Sequence, residues 1–363
     1  MDKLNTKHFI FIIWGSSIVA MKTYPNVFIS KGGRDSWIAV IIASILLLLY
    51  FMYLLFVCKK SNCYNMDEIY HKALGKTAGD IFLILFILTL IISLVESSSV
   101  EANALHVNML SDTPTWFFLL FILIPSIYIT EKGTRAIIIV TIIGICLIMM
   151  AGMNLGILTI KYKKLSFLLP IMADGVTPTF ILCILKTLGC YSGIAICIPF
   201  LSKLGNKSKI MKYSVIAILV VIQMEIVANI GVLTTFGISR VLSINYPKLI
   251  QTQLVSYFSF LEGGEFFVML QMVGGWFIKY VLALNATLIL LKKLSYFNKY
   301  CIYIITVFVF IISYFFSAKV IVLYKFLNFY VYMSLVSFFL IPTIIFTIFY
   351  FKTKNKDKVI KKK

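Results

Sequence analysis

Ten long apolar segments run through this chain, and they decide what it can fold into. Hydrophobic residues make up 61% of its 363 residues, and charged residues only 13%. A soluble protein of this length needs more polar surface than so few charged residues supply. Repeated apolar stretches of about 18 residues or more predict an all-α integral membrane protein with ten transmembrane helices. The predicted segments 1 to 10 are residues 8–29, 36–57, 80–103, 114–131, 136–160, 177–200, 211–237, 266–291, 300–317 and 328–351.

The basic residues predict how these segments are oriented. With the N-terminus inside, the inner connections and the tail carry 22 Lys and Arg residues, and the outer loops carry 9. The positive-inside rule therefore favours cytoplasmic N- and C-termini, which agrees with an even number of spans. The net charge of +20 follows from these basic loops, so we expect lipid and not nucleic acid as the partner. We also expect segment 1 to be retained and not cleaved as a signal peptide.

Three lysines and three glutamates stand out inside the predicted spans: Lys22, Lys186, Lys279, Glu96, Glu225 and, near the end of its span, Glu101. A charge at the centre of a bilayer costs on the order of 3 kcal/mol, so such residues face the bundle interior, pair with one another or line water. Lys22 lies nearer the outer end of its segment, where it guards the mouth of a site or reaches the headgroups. We interpret the set as an interior charge or ion pathway that comprises Lys22, Lys186, Glu225 and Lys279, with Glu96 at the binding site.

Helical spacing places polar residues on shared faces. Ser93 and Glu96 belong to a polar stripe on segment 3, and Gln271 and Lys279 share a face of segment 8. For these two segments we favour a cavity. Glu225 shares a face with its neighbour Asn229, and there we favour hydrogen bonds that hold the helices together.

Two segments carry residues that favour a broken helix. Segment 1 contains Gly15-Ser16-Ser17, and segment 6 contains LGCYSG at residues 188–193. An unwound helix exposes backbone groups and is tolerated where it lines a cavity, although small residues also allow close helix packing. Breaks in the first and sixth of ten spans fit a five-plus-five inverted repeat. The predicted ligand-binding residues are Gly15, Ser16, Ser17, Ser93, Glu96, Gly189, Cys190, Tyr191, Ser192 and Gly193.

The sequence gives no sign of catalysis. It contains no CxxC spacing, its three histidines are scattered, and we find no phosphate loop, nucleophile elbow or zinc-protease motif. We therefore predict no enzyme activity, no metal and no cofactor.

Four landmarks, in order along nearly the whole chain, resemble the B subunit of spore germinant receptors, in the amino acid–polyamine–organocation superfamily. The first is Pro25 followed by GGRDSWIAV at residues 32–40. The others are TPTWFFLLFILIPSIYITEKGTRAI at 113–137, FLLPIMADGVTP at 167–178, and YPKLIQTQLVSYFSFLEGGEFFVMLQMVGGWFIK at 246–279.

The resemblance implies a LeuT-type fold in a single membrane domain, residues 1–363. Its first repeat would be residues 8–160, its second 177–351, and 352–363 would form a basic cytoplasmic tail. It implies a location in the inner membrane of the spore. It further implies a larger membrane A-type subunit and a lipoprotein C-type subunit as partners, and a small germinant, often an amino acid, as the ligand.

Two other functions stay open. The first is a secondary transporter for an amino acid or amine, driven by H⁺ or Na⁺, in which Glu96 or Glu225 would carry the proton. The second is a ligand-gated ion channel, against which the three interior lysines argue mildly unless they pair with the glutamates.

Overall fold

A computed structural model of the chain describes residues 4–257, 261–262, 265–295 and 298–360. These residues are almost entirely helical, as the apolar segments predict. The helices are α1 (His8–Ser17), α2 (Ala20–Thr23), α3 (Asn26–Gly32), α4 (Ser36–Ser61), α5 (Met66–Leu74), α6 (Lys76–Asn108), α7 (Thr115–Glu131), α8 (Thr134–Leu158), α9 (Pro178–Tyr191), α10 (Ile210–Ser243), α11 (Pro247–Gln253), α12 (Glu265–Lys293), α13 (Cys301–Ser317), α14 (Val320–Ser334) and α15 (Ile341–Ile360).

Shorter elements join these helices. The two-residue strands β1 (Ser256–Tyr257) and β2 (Leu261–Glu262) pair antiparallel, with Ser256 opposite Glu262. A π-helical stretch, Leu335–Leu340, joins α14 to α15. The 3-10 helices are Gly33–Asp35, Ile160–Tyr162, Leu165–Leu168 and Ser192–Lys203.

Seven helices among the described residues are long and apolar enough to cross a membrane. They coincide with predicted segments 2, 3, 5, 6, 7, 8 and 10. Three shorter apolar helices, His8–Thr23, Thr115–Glu131 and Cys301–Ser317, coincide with segments 1, 4 and 9. The chain is therefore a helical, multi-pass membrane protein, and the count of ten spans stays a prediction.

Large apolar side chains cover the outside of the bundle. Leu49, Phe121, Ile304 and Phe315 are each more than half exposed. Such a surface suits lipid, because hydrocarbon tails take the place that water would occupy around a soluble protein. Inside the bundle, α12 packs extensively against α6 and α8 and also contacts α1. This central position brings Trp276 and Lys279 of α12 into the core.

Segments 1 and 6 change their helical geometry where small residues occur. The helix α1 ends at Ser17, Ile18 and Val19 follow, and α2 then runs only to Thr23. Tyr24 has non-helical backbone angles, so segment 1 ends before residue 29. In segment 6, α9 gives way at Ser192 to a 3-10 helix, within the predicted 188–193 stretch. The pairing of these two sites in an inverted repeat stays a prediction.

Both long connections contain a helix. The polar 58–79 connection forms α5, and α11 lies in the 238–265 connection with Leu249, Gln251 and Thr252 buried. Of the fourth family landmark, residues 258–260 and 263–264 lie outside the described residues. Of the predicted tail, residues 352–360 continue α15, and residues 361–363 lie outside the described residues.

Candidate functional site

A buried ion pair lies at the centre of the bundle. The Lys279 ammonium on α12 donates to both carboxylate oxygens of Glu96 on α6, at 2.6 Å and 2.9 Å. Glu96 is 0% exposed and Lys279 1%. The two charges satisfy each other where neither could reach water. The structure thus identifies the partner of each residue, where we had favoured a cavity along segments 3 and 8.

Aromatic and hydroxyl groups complete this ion pair. The Tyr24 hydroxyl, just after α2, donates to Glu96 Oε1 at 2.6 Å. The Ser93 hydroxyl donates to Glu96 Oε2 at 3.4 Å, and it accepts a bond from Tyr330 of α14 at 3.2 Å. The Lys279 ammonium also lies 5.0 Å from the ring centroid of Trp276, a cation–π contact. We call Tyr24, Ser93, Glu96, Lys279 and Tyr330 the central cluster.

Segments 1 and 6 meet beside the central cluster. The Ser16 hydroxyl lies 3.0 Å from the Cys197 thiol, and it also lies 3.4 Å from the Ser17 hydroxyl. A side-chain carbon at Gly193 would lie 3.3 Å from the Ser16 carbonyl oxygen and 3.8 Å from Lys279 Cε. The structure therefore places Gly193 between the Ser16 backbone and Lys279, and the role of these residues in a ligand site stays a prediction.

The other predicted residues of segment 6 have structural contacts. Tyr191 shares a 2.8 Å hydrogen bond with Ser44 of α4, and Ser192 donates to the Leu188 carbonyl at 2.6 Å. Gly189 lies against the backbone of Val331 in α14, and Cys190 is buried. Tyr191 and Gly189 thus contact neighbouring helices, Ser192 bonds within its own segment, and none of the four lines a cavity described below.

A narrow cavity of about 30 Å³ lies beside segment 1, between α8, α10, α11 and α12. We call it the main cavity. Among the predicted residues, Gly15 and Lys22 line it. The cavity involves segments 1, 5, 7 and 8, whereas the predicted ligand-binding residues lie in segments 1, 3 and 6. Its lining residues are Trp14, Gly15, Ile18, Val19, Lys22, Thr23, Ile145, Ile148, Met224, Tyr246, Lys248, Leu249, Val268, Gln271, Met272 and Gly275.

A smaller cavity of about 10 Å³, the side cavity, adjoins the main cavity at Lys22 and Lys248, which line both. Asn229 also lines the side cavity. Neither the oxygen nor the nitrogen of its buried amide has a hydrogen-bond partner among the described residues. The structure thus differs from the interhelical bonding that we favoured for Asn229.

Sequence reasoning missed Lys248, because charge counting assigns it to an outer loop, whereas the structure places it in α11. Burial first, and then the Lys22 and Lys163 ammonium groups, lower the pKa of Lys248 to about 7, against the opposing effect of Glu225. Its ammonium donates to Gln251 Oε1 at 2.8 Å. A usable signal is the amphipathic middle of the 238–265 connection, which predicts a helix that lies at the interface or dips into a mouth of the protein.

Lys186 lies apart from both cavities. Its ammonium donates to Asn328 Oδ1 of α14 at 2.5 Å and lies 5.6 Å from the ring centroid of Tyr332. The amide of Asn328 is itself anchored, because its Nδ2 donates to the Tyr324 carbonyl at 2.9 Å. This geometry indicates that Lys186 holds α9 to α14.

Replacement of Asn328 by alanine is expected to destabilise the fold by about 1–3 kcal/mol, since it leaves the Lys186 ammonium without its acceptor. Thermal unfolding in detergent measures the change. Asn154→Ala is the matched control, because Asn154 also donates to the carbonyl four residues earlier but is exposed. Equal shifts in the two variants would contradict this role for Lys186.

Comparison with known proteins identifies the family. The family model described as "Spore germination protein" matches residues 3–321. The chain belongs to the spore germination protein family. This family match confirms the resemblance drawn from the four sequence landmarks.

Two spore germination proteins are among its relatives. Spore germination protein KB of Bacillus subtilis (strain 168) is 24% identical over 277 residues, which cover 72% of this chain and 70% of that protein. Spore germination protein XB of Bacillus anthracis is 23% identical over 274 residues, which cover 74% of this chain and 75% of that protein.

Solved structures with the same fold are LeuT-type transporters. MhsT in complex with L-phenylalanine aligns with a TM-score of 0.65 at 13% identity, over 95% of this chain and 98% of that chain. A second neighbour is the Eremococcus coleocola manganese transporter in complex with an aromatic bis-isothiourea substituted compound. It aligns with a TM-score of 0.63 at 13% identity, over 93% of this chain and 78% of that chain. At such identities the likeness establishes the fold of this spore germination protein and nothing about its ligand.

Proposed function

We propose that this chain is the permease-like membrane subunit of a spore germinant receptor, which binds a small nutrient within the membrane and triggers germination. The germination role rests on the family match over residues 3–321. The observation that carries nutrient binding is the main cavity, whose lining is mostly apolar with a few polar groups. Ligand sites in proteins commonly have this composition. The cavity has a volume of about 30 Å³, so it would widen to admit a nutrient.

The proposed architecture is a single membrane domain of ten helices with both termini in the cytoplasm. Two five-helix repeats, 8–160 and 177–351, would form the LeuT-type bundle in the inner membrane of the spore. Interruptions in segments 1 and 6 would face each other at its centre, and the neighbours' fold supports this arrangement. The partners would be the larger A-type subunit and the lipoprotein C-type subunit.

The central cluster offers a way for the ligand to act at a distance. Lys22 and Thr23 of α2 line the main cavity, and Tyr24, the next residue, bonds to Glu96. Because α2 has only four residues and a non-helical residue follows it, a ligand that moves α2 would also move the Tyr24 hydroxyl. Such a ligand would shift a two-state equilibrium by its differential affinity for the two states.

Deletion of the gene tests the proposal. Spores without it are expected to lose germination in response to one nutrient, measured as the fall in optical density, and to keep the response to others. A wild-type copy should restore the response, because only this subunit was removed. Unaltered germination across a broad nutrient panel would overturn the proposed function.

A further inference from the structure

A pocket of about 710 Å³, the basic pocket, lies where five elements of the bundle meet. Its wall comprises the end of α7, the start of α8, the end of the Ser192–Lys203 3-10 helix, the last turns of α12 and the start of α13. We propose that this pocket binds a glycerophosphate group, as in the headgroup of phosphatidylglycerol, with the phosphate at its lysines and the hydroxyls at Asn285 and Thr130. The basic pocket shares no described lining residue with the main cavity, so this inference goes beyond nutrient binding.

Positive charge dominates the basic pocket. Its described lining residues include one carboxylate, Glu131, and four lysines, which are Lys203, Lys292, Lys293 and Lys299. The Glu131 carboxylate already accepts a hydrogen bond from Tyr303 of α13. The Lys203 ammonium is close enough to those of Lys292 and Lys293 to be repelled by both. An anion between these lysines would relieve the repulsion.

The ammonium groups are free to take such an anion. Within the described part of the chain, those of Lys203 and Lys292 make no hydrogen bond or ion pair. Lys293 has one carboxylate partner, Asp67, at 3.7 Å. This separation is too long for a hydrogen bond, so the pair leaves the Lys293 ammonium able to turn toward the pocket.

The start of α8 adds a further attraction for an anion. Gly133 precedes this helix, Thr134 is its first residue, and both line the basic pocket. The first amide groups of an α-helix lack acceptors within the helix and carry partial positive charge. The first turn of α8 contains no Asp or Glu that would neutralise it. Lysines together with a helix start suit a phosphate.

Two buried polar side chains in the wall specify what the phosphate carries. Thr130 is 6% exposed and Asn285 7%, and both line the pocket. Neither Thr130 Oγ1 nor Asn285 Oδ1 has a hydrogen-bond partner among the described residues. Buried polar groups in native proteins are nearly always satisfied, so these two indicate a ligand group that reaches them. An amide oxygen only accepts, so the ligand must donate, and a hydroxyl does this without the positive charge that the lysines repel.

The spacing along α12 fits one ligand that touches both ends of the pocket. Asn285, Ile289 and Lys292 line it at helical spacing on one face of α12. Seven residues of helix separate Asn285 from Lys292 by about 10 Å. A phosphate joined to a glycerol covers this distance together with the reach of a lysine side chain.

A membrane lipid is a ready source of this group. Leu288 and Ile302 add apolar wall to the pocket, and Ile304 and Val307 of α13 continue outward with 66% and 59% exposure. Acyl chains can pack on that outer surface while the headgroup enters the pocket. Basic pockets between transmembrane helices on the cytoplasmic side recognise anionic headgroups in this way.

The topology of the chain explains only part of this arrangement. Lysines at the ends of spans are expected on the cytoplasmic side of any membrane protein. That rule does not call for a pocket of this volume between them. It also leaves the buried Thr130 and Asn285 side chains without a reason, whereas a hydroxylated phosphate accounts for both.

Native mass spectrometry of the purified full-length protein tests the inference. The probes are phosphatidylglycerol, phosphatidylethanolamine and phosphatidylpropanol with identical acyl chains. Phosphatidylpropanol keeps the negative charge and lacks the two headgroup hydroxyls. We expect phosphatidylglycerol to bind roughly tenfold more tightly than phosphatidylethanolamine, because several lysines face its net charge. We expect it to bind about threefold or more tightly than phosphatidylpropanol, as for the loss of neutral hydrogen bonds.

Variants locate the binding. Lys292→Gln/Lys293→Gln is expected to weaken phosphatidylglycerol binding by roughly tenfold. The matched control is Lys59→Gln/Lys60→Gln, which removes two exposed lysines from the last turn of α4, away from the pocket. Asn285→Leu should remove the preference over phosphatidylpropanol and keep the preference over phosphatidylethanolamine, because it removes an acceptor and no charge.

A soluble probe distinguishes the two sources of the group. Isothermal titration calorimetry measures the binding of glycerol phosphate to the protein in phosphatidylcholine nanodiscs. Binding that Lys292→Gln/Lys293→Gln abolishes, without any preference for phosphatidylglycerol, would assign the pocket to the free compound. A preference for phosphatidylglycerol that this variant keeps would overturn the inference, as would equal binding of all three lipids without binding of glycerol phosphate. Equal binding of phosphatidylglycerol and phosphatidylpropanol would overturn the role of the hydroxyls. The proposed function in germination would stand in each case.

Discussion

The Glu96→Gln variant is expected to be the least stable of the single charge substitutions in this protein. It leaves the Lys279 ammonium in a site with 1% exposure and without a counter-ion. Removal of one partner of a buried ion pair costs about 3–5 kcal/mol. We therefore expect a sharply lower thermal unfolding midpoint in detergent, or loss of the monodisperse protein on size-exclusion chromatography.

The double variant Glu96→Gln/Lys279→Met separates the ion pair from other effects. It removes both charges, so it should recover part of the stability that Glu96→Gln loses. The matched control is Lys72→Gln, which breaks the exposed Glu68–Lys72 pair. Exposed pairs contribute less than about 1 kcal/mol, so this control should unfold almost as the wild type does. A Glu96→Gln shift as small as that of Lys72→Gln would contradict the argument.

The sequence predicts which charges are interior, but not how they pair. Glu96 and Lys279 stand out because a charge in an apolar segment is costly unless it is satisfied. Their positions are 183 residues apart, and only the packing of α6 against α12 brings them together. Tyr24 was missed for a similar reason. A tyrosine near the end of a span is typical of a membrane interface, and nothing local signals a bond to Glu96.

The positions of the helices were more predictable from the sequence than the lining of the cavity was. Apolar length alone indicates where helices run, because burial of the backbone in lipid forces internal hydrogen bonds. The cavity depends instead on which helices leave space between them. Lys248 shows the limit: counting charges assigns it to an outer loop, while the fold of α11 against α10 and α12 turns it toward Lys22.

Glycine at position 189 illustrates how one residue type supports two interpretations. In the sequence it belongs to a helix break that could line a ligand site. In the structure, a side-chain carbon there would meet the carbonyl oxygen of Val331 and lie 2.6 Å from Val331 Cγ1. Close approach of α9 to α14 therefore explains the glycine, as small residues do at helix contacts in membranes.

Gly189→Ala is accordingly expected to destabilise the protein by about 1–3 kcal/mol or more, because a backbone oxygen cannot rotate away and one helix must shift. Thermal unfolding in detergent and the yield of monodisperse protein measure this loss. Gly156→Ala on α8 is the matched control, since nothing lies within 4 Å of the added carbon, and alanine favours a helix. Its unfolding midpoint should be unchanged or slightly raised.

The protein that does fold with alanine at position 189 should bind ligand normally, because Gly189 contacts α14 and does not line the main cavity. Normal stability together with lost binding would instead return Gly189 to the ligand site.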